Sequence, residues 1–247
     1  MNKEKIMQTL EFYKKLLEEK DYNVIYIGLY GSQNYNVDDE LSDVDVKAIV
    51  LPSLHDVVFR KVTSKVVECE NGSIDVKDLM TFYDVIKKGN FSYIECIDSE
   101  YWLGDKYIKD LFKQFRPNLK SILGAMHEKR KALTHEYPSK KQEFEKWGFD
   151  PKQYHHIIRL HDLLEFITNT KQQASFLSYH NNARNFMIAE KRNKNNYNKA
   201  QVEFSSDFFL ERAKKMIPTD YKYEPINIDE AISNYIETNL RKELCNI

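Results

Sequence analysis

The hydrophobic period changes along this chain, and those changes restrict its fold more than any other feature. Residues 3–20 set Ile6, Met7, Leu10, Tyr13, Leu16 and Leu17 at helical spacing, which makes one apolar face. The period then drops to that of a strand. Residues 23–30, NVIYIGLY, form a β-branched and aromatic run closed by Gly31-Ser32. Residues 43–51, DVDVKAIVL, alternate, with Asp43, Asp45 and Lys47 to one side and Val44, Val46 and Ala48 to the other, until Pro52 stops the run. Two further alternating runs, SKVVECE and SIDVKDL, flank Asn71-Gly72, the strongest short hairpin signal. Helical periodicity returns near residue 80 and dominates from Tyr107, notably over 107–133, 151–168 and 205–216. The expected fold is α+β: a mixed sheet with flanking helices over 1–105, then a mainly α-helical domain over 106–247.

A chain of 247 residues can bury one large core or two small ones. Its composition, 42% hydrophobic and 30% charged with the charges dispersed, excludes a mostly disordered chain. A net charge of −1 advertises no nucleic-acid binding overall, though a local basic face would still serve. Cys69, Cys96 and Cys245 are far apart, odd in number and without CxxC spacing, which fits a reducing compartment. Charges interrupt the first twenty residues every few positions, so they supply neither a signal peptide nor a membrane span. The expectation is a cytoplasmic protein with no membrane partner.

Chemistry concentrates in residues 31–45. A Gly-Ser pair at a strand end lets the backbone turn sharply and approach a ligand, and Ser32 adds a hydroxyl. Were a helix to open after Ser32, its first amides would face a phosphate. Asp43 and Asp45, two apart on a strand, share a face and suit one hard cation such as Mg²⁺, which completes its shell with phosphate oxygens and water. Adjacent carboxylates repel, so the pair makes most sense with a cation between them. Taken singly, Gly-Ser is an ordinary turn and Asp-x-Asp an ordinary solvated edge; the order strand, Gly-Ser, loop, Asp-x-Asp strand is the informative part.

The stretch GSQNYNVDDELSDVDVKAIVLPS resembles the Gly-Ser…Asp-x-Asp signature of the DNA polymerase beta nucleotidyltransferase superfamily, and more narrowly the predicted nucleotidyltransferases of bacteria and phages. Gly31, Ser32, Gln33, Tyr35, Ser42, Asp43, Asp45, Val46 and Lys47 match; Asn36 stands where that group has Gly, and Asn tolerates left-handed backbone angles better than most residues. SIDVKDLMTFYDVIKKGNFSYIECI is similar to the group's next segment, which implies Asp75 as a third carboxylate and Lys88, Gly89, Asn90 and Glu95 as a further motif, with Phe91 replacing Pro. PKQYHHIIRLHDLLEF resembles its later K-x-x-x-H-x-x-R helix, which points to His156 and Arg159, three apart on one face, as contacts for triphosphate or acceptor. Asp75 also reads as an outward-facing acid, Lys47 as a surface lysine, and His156 with Arg159 as a structural pair. His155 and His161 read as surface residues, and the basic segment 184–199 as a solvated connection or, alternatively, a contact for a nucleic-acid backbone.

The resemblance implies a metal-dependent nucleotidyltransferase that moves an NMP group from an NTP to a hydroxyl acceptor. Gly31 and Ser32 would cradle phosphates, with Lys47, Lys88, Asn90, His156 and Arg159 as further nucleotide contacts. Asp43, Asp45 and Asp75 would hold Mg²⁺, or Mn²⁺, in a two-metal arrangement. The acceptor stays open among nucleic acid, protein and small molecule. Two other classes compete: a nucleotide-binding or regulatory module with the same fold but no turnover, and an interaction protein using the aromatic-rich helical half.

Overall fold

A computed structural model of the protein describes residues 3–39, 42–70, 72–170 and 184–245. In chain order the elements are α1 (Lys3–Glu18), β1 (Asn23–Tyr30), a one-turn 3₁₀ helix (Ser32–Tyr35), β2 (Asp45–Leu51), α2 (Leu54–Val58), β3 (Ser64–Cys69), β4 (Gly72–Asp78), α3 (Leu79–Lys87), α4 (Phe91–Asp98), β5 (Trp102–Gly104) and α5 (Lys106–Phe112). There follow α6 (Leu119–Leu133), a second 3₁₀ turn (Pro138–Lys140), α7 (Lys141–Trp147), α8 (Pro151–Thr170), α9 (Arg184–Lys191), α10 (Lys199–Met216) and α11 (Asp229–Cys245). The class is α+β, with a five-stranded mixed sheet flanked by helices. None of the described helices is long and apolar enough to cross a membrane.

The sheet runs β3-β4-β2-β1-β5. Its one parallel pair is β2 with β4, because β3 and the short α2 carry the chain back between them; the other pairs are antiparallel. Alternation decides what each face buries. Val44, Val46, Ala48 and Val50 of the β2 segment, with Ile74 and Val76 of β4, meet the apolar stripe Ile6, Leu10, Tyr13 and Leu17 of α1. Val24 joins Ile27 and Leu29 on this face only because β1 carries a bulge between Val24 and Tyr26, where an extra residue resets the alternation. The opposite face carries Tyr26, Ile49 and Lys47. Beside it, α3, α4 and α5 supply an aromatic cluster in which Phe82 lies 5.2 Å from Tyr93 and 5.0 Å from Phe112. Covered on both sides, β2 is buried almost continuously despite its alternating sequence.

Caps set the elements that bear on the site. The Asp78 side chain accepts from the Thr81 amide, 2.8 Å, ending β4 and starting α3, and also from the Thr63 amide, 2.7 Å, fixing the entry to β3. Gly72 opens β4 with its backbone against Val44; a Cβ there would lie 2.0 Å from the Val44 carbonyl oxygen. That close approach brings the start of β4 up to the lead-in of β2. The hairpin predicted around Asn71-Gly72 is formed by β3 and β4, although Asn71 itself lies outside the described residues.

Two compact units are present. The first comprises the described parts of Met1–Asn34, Glu40–Arg116 and Glu224–Ile247, and the second Tyr35–Asp39 and Pro117–Tyr223. Within the first, α11 is tied down by Tyr235, which donates to Asp105, 2.9 Å, and by Asp229, which accepts from Tyr83, 2.7 Å, and Lys87, 3.1 Å. Within the second, α8 is the central helix, packed by α6, α9 and α10 through Ile157, Ile158, Leu160, Leu163 and Leu164. Arg130 of α6 forms a forked pair with Asp207 of α10 at 2.7 and 3.1 Å. Period alone gives no sign of β5, which at three residues is too short to show one.

Candidate active site on the mixed sheet

Strand register builds the site. The last residue of β1, Tyr30, pairs with the first residue of β2, Asp45. The Gly31-Ser32 turn therefore leaves β1 directly beside that aspartate. Gly31 adopts φ +97°, a conformation that residues with a Cβ rarely take, and a Cβ at this position would lie 3.9 Å from Asp45 Oδ2. Ser32 opens a single 3₁₀ turn, so the array of free amides that an α-helix would offer a phosphate is not formed. The next two residues brace the turn. Asn34 donates through Nδ2 to the Leu29 carbonyl, 2.7 Å, and accepts the Ser99 hydroxyl, 2.7 Å; Gln33 donates through Nε2 to the carbonyl of Asp43, 2.6 Å. Gln33 thus ties the turn to the backbone that presents the two aspartates, a role no periodicity reveals. Asn36 has φ +54°, the left-handed angle for which Asn substitutes for Gly.

Asp43 does not belong to the strand as expected: β2 begins at Asp45, and Asp43 stands exposed in its lead-in. Asp45 Oδ1 accepts the Ser73 hydroxyl, 2.9 Å, from the facing position of β4. Two residues along each strand, Lys47 faces Asp75 in parallel register, so Asp45, Lys47 and Asp75 occupy one face. The reading of Lys47 as a surface lysine is overturned. Its residue is 5% exposed, its ammonium lies over the rings of Tyr30 and Tyr93 at 4.2 and 4.1 Å, and it meets Asp75 Oδ2 at 3.0 Å. The same Oδ2 accepts the Tyr93 hydroxyl, 2.6 Å, while Lys77 lies 3.3 Å from Oδ1. Burial pushes the Asp75 carboxyl up, but Lys47, the Tyr93 hydroxyl and Lys77 more than offset it and hold it below the usual range. Burial and the hydrogen bond to Asp75 push the Tyr93 phenol far above its ordinary value.

The donor set divides on its fit to a divalent metal. Asp43 and Asp45 form no ion pair among the described residues, and Asp45 keeps Oδ2 beside the Gly31 turn, which suits a hard ion that takes few carboxylates and completes its shell from phosphate and water. Asp75 fits less well. Both lone pairs of its Oδ2 are taken by Lys47 and Tyr93, and Oδ1 is shared with Lys77. Among the described residues, the trio of His, Cys, Asp or Glu ligand atoms lying within 4.8 Å of one another is not Asp43, Asp45 and Asp75 but His161, Asp162 and Glu165 of α8. In that trio Glu165 is already paired with Arg212 at 3.3 Å.

The remaining sequence candidates fall in several places. Lys88 is exposed at the end of α3, and Gly89 turns the chain at φ +72°. Asn90 caps α4, its Oδ1 accepting from the amide and hydroxyl of Ser92 at 3.1 and 3.0 Å. The motif thereby aims α4, which carries Tyr93 to Asp75; Glu95 on the same helix is buried. His156 and Arg159 belong to the second unit, where Arg159, a residue 7% exposed, sets its guanidinium 4.2 Å over the Tyr35 ring. His155 and His161 are not surface residues, since each is 2% exposed. Burial, with Arg159 and Lys191 nearby, pushes His155 down to about 3, and burial with His155, Arg159 and Lys129 drives His156 well below its ordinary value, so both are neutral at pH 7. The segment 184–199 is a solvated connection only in part: Lys194, Asn195, Asn196, Asn198 and Lys199 are exposed, but residues 187–193 are not. Lys191 is buried, Arg192 forks onto Asp39 at 2.6 and 2.7 Å, and buried Glu190 accepts from Asn195, 2.7 Å. Neither period nor motif singles out Tyr30 or Tyr93 as a site residue. Tyr30 was within reach of the sequence, as the last strand residue before Gly31-Ser32, whereas nothing local marks Tyr93.

Fold and site together define an α+β protein whose mixed sheet presents aspartates beside a glycine-serine turn. No family model matches the chain, and no curated protein matches it significantly. Among solved structures it is similar to a nucleotidyltransferase-like protein from Exiguobacterium sibiricum, at 13% identity over 85% of this chain and 73% of that one, with a TM-score of 0.31. A likeness at that score decides nothing about the site, whose chemistry is read from its own residues.

Proposed function

We propose that this chain is a metal-dependent nucleotidyltransferase that transfers an NMP group from an NTP to a hydroxyl acceptor. The observation that supports it most is the Tyr30–Asp45 register, which sets the Gly31-Ser32 turn beside Asp45, with Asp75 on the same face of the next strand. In the proposed reaction the acceptor oxygen bonds to the α-phosphorus, the bond from the α-phosphorus to the α–β bridging oxygen breaks, pyrophosphate leaves with that electron pair, and the acceptor's proton passes to solvent. Mg²⁺, held by Asp43 and Asp45, would neutralise the triphosphate and the charge that develops on transfer. The chain's own contribution is position and charge. Gly31 lets the backbone approach the phosphates, the Ser32 hydroxyl orients them, and Gln33 keeps that turn in register with the aspartates. Lys47 adds a buried positive charge on the same face.

One observation favours a second reading, a nucleotide-binding module without turnover: Asp75 is engaged by three donors. Incubating the protein with each α-labelled NTP and Mg²⁺, with cell extract separated into RNA, protein and metabolite fractions, distinguishes them. Label transfer by the wild type and its loss in Asp45→Asn supports the transferase. Saturable NTP binding with no transfer to any fraction supports the module, and absence of both binding and transfer removes both readings.

A further inference from the structure

The position of Lys47 goes a step further, on the assumption that the nucleotidyltransferase reading holds. We infer that the Lys47 ammonium stands where a second metal ion would otherwise sit, that Asp75 is the positioning residue that holds it there, and that the chain takes a single divalent ion per nucleotide. Register places Lys47 two residues from Asp45 on one strand and directly across from Asp75 on the next, so on this face it neighbours both, with its ammonium against Asp75. A second ion that used Asp75 as a ligand would have to share that carboxylate with a cation. Lys47 cannot readily withdraw. Its residue is 5% exposed, two tyrosine rings cover its ammonium at 4.2 and 4.1 Å, and Asp75 holds it at 3.0 Å.

The lone-pair count on Asp75 agrees. Oδ2 already accepts from Lys47 and from the Tyr93 hydroxyl at 2.6 Å, and Tyr93 is delivered by α4, whose start is set by the Asn90 cap. A metal bound through Oδ2 would have to displace one of these donors. Asp45, in contrast, spends only Oδ1 among the described residues, on Ser73. The arrangement is asymmetric: one carboxylate pair open to a metal, and one carboxylate committed to a built-in cation. A fixed ammonium is present at any metal concentration but holds a phosphate oxygen or an alkoxide less tightly than a divalent ion does.

The test counts ions directly. With the full chain, a saturating non-hydrolysable NTP analogue and Mn²⁺, equilibrium dialysis gives Mn²⁺ bound per nucleotide bound. The wild type and Asp75→Asn should both bind one. Lys47→Met keeps the length of the apolar stem but removes the charge, and should admit a second ion that Lys47→Met/Asp75→Asn then loses. Two ions in the wild type, with one lost in Asp75→Asn, would overturn the inference while leaving the nucleotidyltransferase reading intact. So would a Lys47→Met variant that folds and still binds one. If that variant does not fold, the wild-type count decides by itself. A wild type that binds no nucleotide under any condition removes the underlying reading and the inference with it.

Discussion

Replacing Asp75 with Asn tests the electrostatics of the site without any substrate. The change is nearly isosteric but leaves the Lys47 ammonium buried beside a neutral amide. Removing one partner of a buried ion pair costs about 3–5 kcal/mol, because the other charge stays uncompensated in a poorly polarisable setting. Two features pull the figure down: the Asp75 side chain is 22% exposed, so water already screens the pair, and the Tyr30 and Tyr93 faces retain about 0.5–2 kcal/mol of attraction for the cation. The expected loss is roughly 2–4 kcal/mol. Lys47→Met should cost less, about 1–2 kcal/mol, since Asp75 would keep the Tyr93 hydroxyl, Lys77 at 3.3 Å and some water. In the double variant neither charge is stranded, so the losses should not add, leaving a coupling of at least about 1.5 kcal/mol. Equilibrium urea unfolding measures this, followed by the fluorescence of Trp102, which lies in β5, in a Trp147→Phe background. Acid titration supplies a second readout. The Asp75 carboxyl is held below its ordinary value of 3.8, so its contribution is complete above that pH and fades as pH falls through the lower folded value. The gap between wild type and Asp75→Asn should therefore narrow only below about pH 4. Additive losses within about 0.5 kcal/mol, or an Asp75→Asn variant as stable as the wild type, would refute the reasoning.

On the proposed function, Asp45→Asn should lower Mg²⁺-dependent NTP turnover roughly 10²-fold or more, with melting little changed because Asn keeps an acceptor for the Ser73 hydroxyl; equal turnover would take Asp45 out of the mechanism. Gly31→Ala, at φ +97°, should cost at least about 1 kcal/mol from backbone strain alone, since a Cβ there meets no atom closer than 3.9 Å; melting as high as the wild type would show that the turn relaxes freely. The second unit should lose stability in acid earlier than its carboxylates dictate. With His155 held at about 3 against 6.5 when unfolded, the unfolded chain binds the extra proton between those values, so stability falls with decreasing pH by up to about 1.4 kcal/mol per unit for this residue. His155→Leu should flatten that slope in pH-dependent melting followed by Trp147. Arg192→Ala breaks the fork onto Asp39 and should cost about 1–2 kcal/mol in the same unit, read by urea unfolding.

Much of the first unit was written locally. Alternation in 23–30 and 43–51, the stop at Pro52 and the Asn71-Gly72 hairpin signal depend on neighbours in sequence, and the strands formed where those signals stand, except that β2 opens at Asp45 and leaves Asp43 in the approach. That Asp45, Lys47 and Asp75 can share a face follows from the two-residue period once β2 and β4 pair. Whether they pair, and in parallel, is a matter of topology that no local pattern encodes. The burial of Lys47 is likewise tertiary: an alternating strand reads as half-exposed, and only α4, which brings Tyr93 to the polar side beside Tyr30 of β1, completes the cage around its ammonium. Nor does the helical period of residues 229–245 say which core α11 will join, because its apolar stripe would suit either; Tyr83, Lys87 and Asp105 decide it. His155 and His161 mislead for the same reason, since a polar residue on a helix looks solvent-facing until the helix is found at the centre of its unit. Sequence by itself determined most of the elements, though not β5 or the start of β2, and the chemical types presented at the Gly31–Asp45 segment, through local backbone preference and period. The tertiary structure decided which charges met, because ion pairs and burial depend on residues brought together from distant parts of the chain.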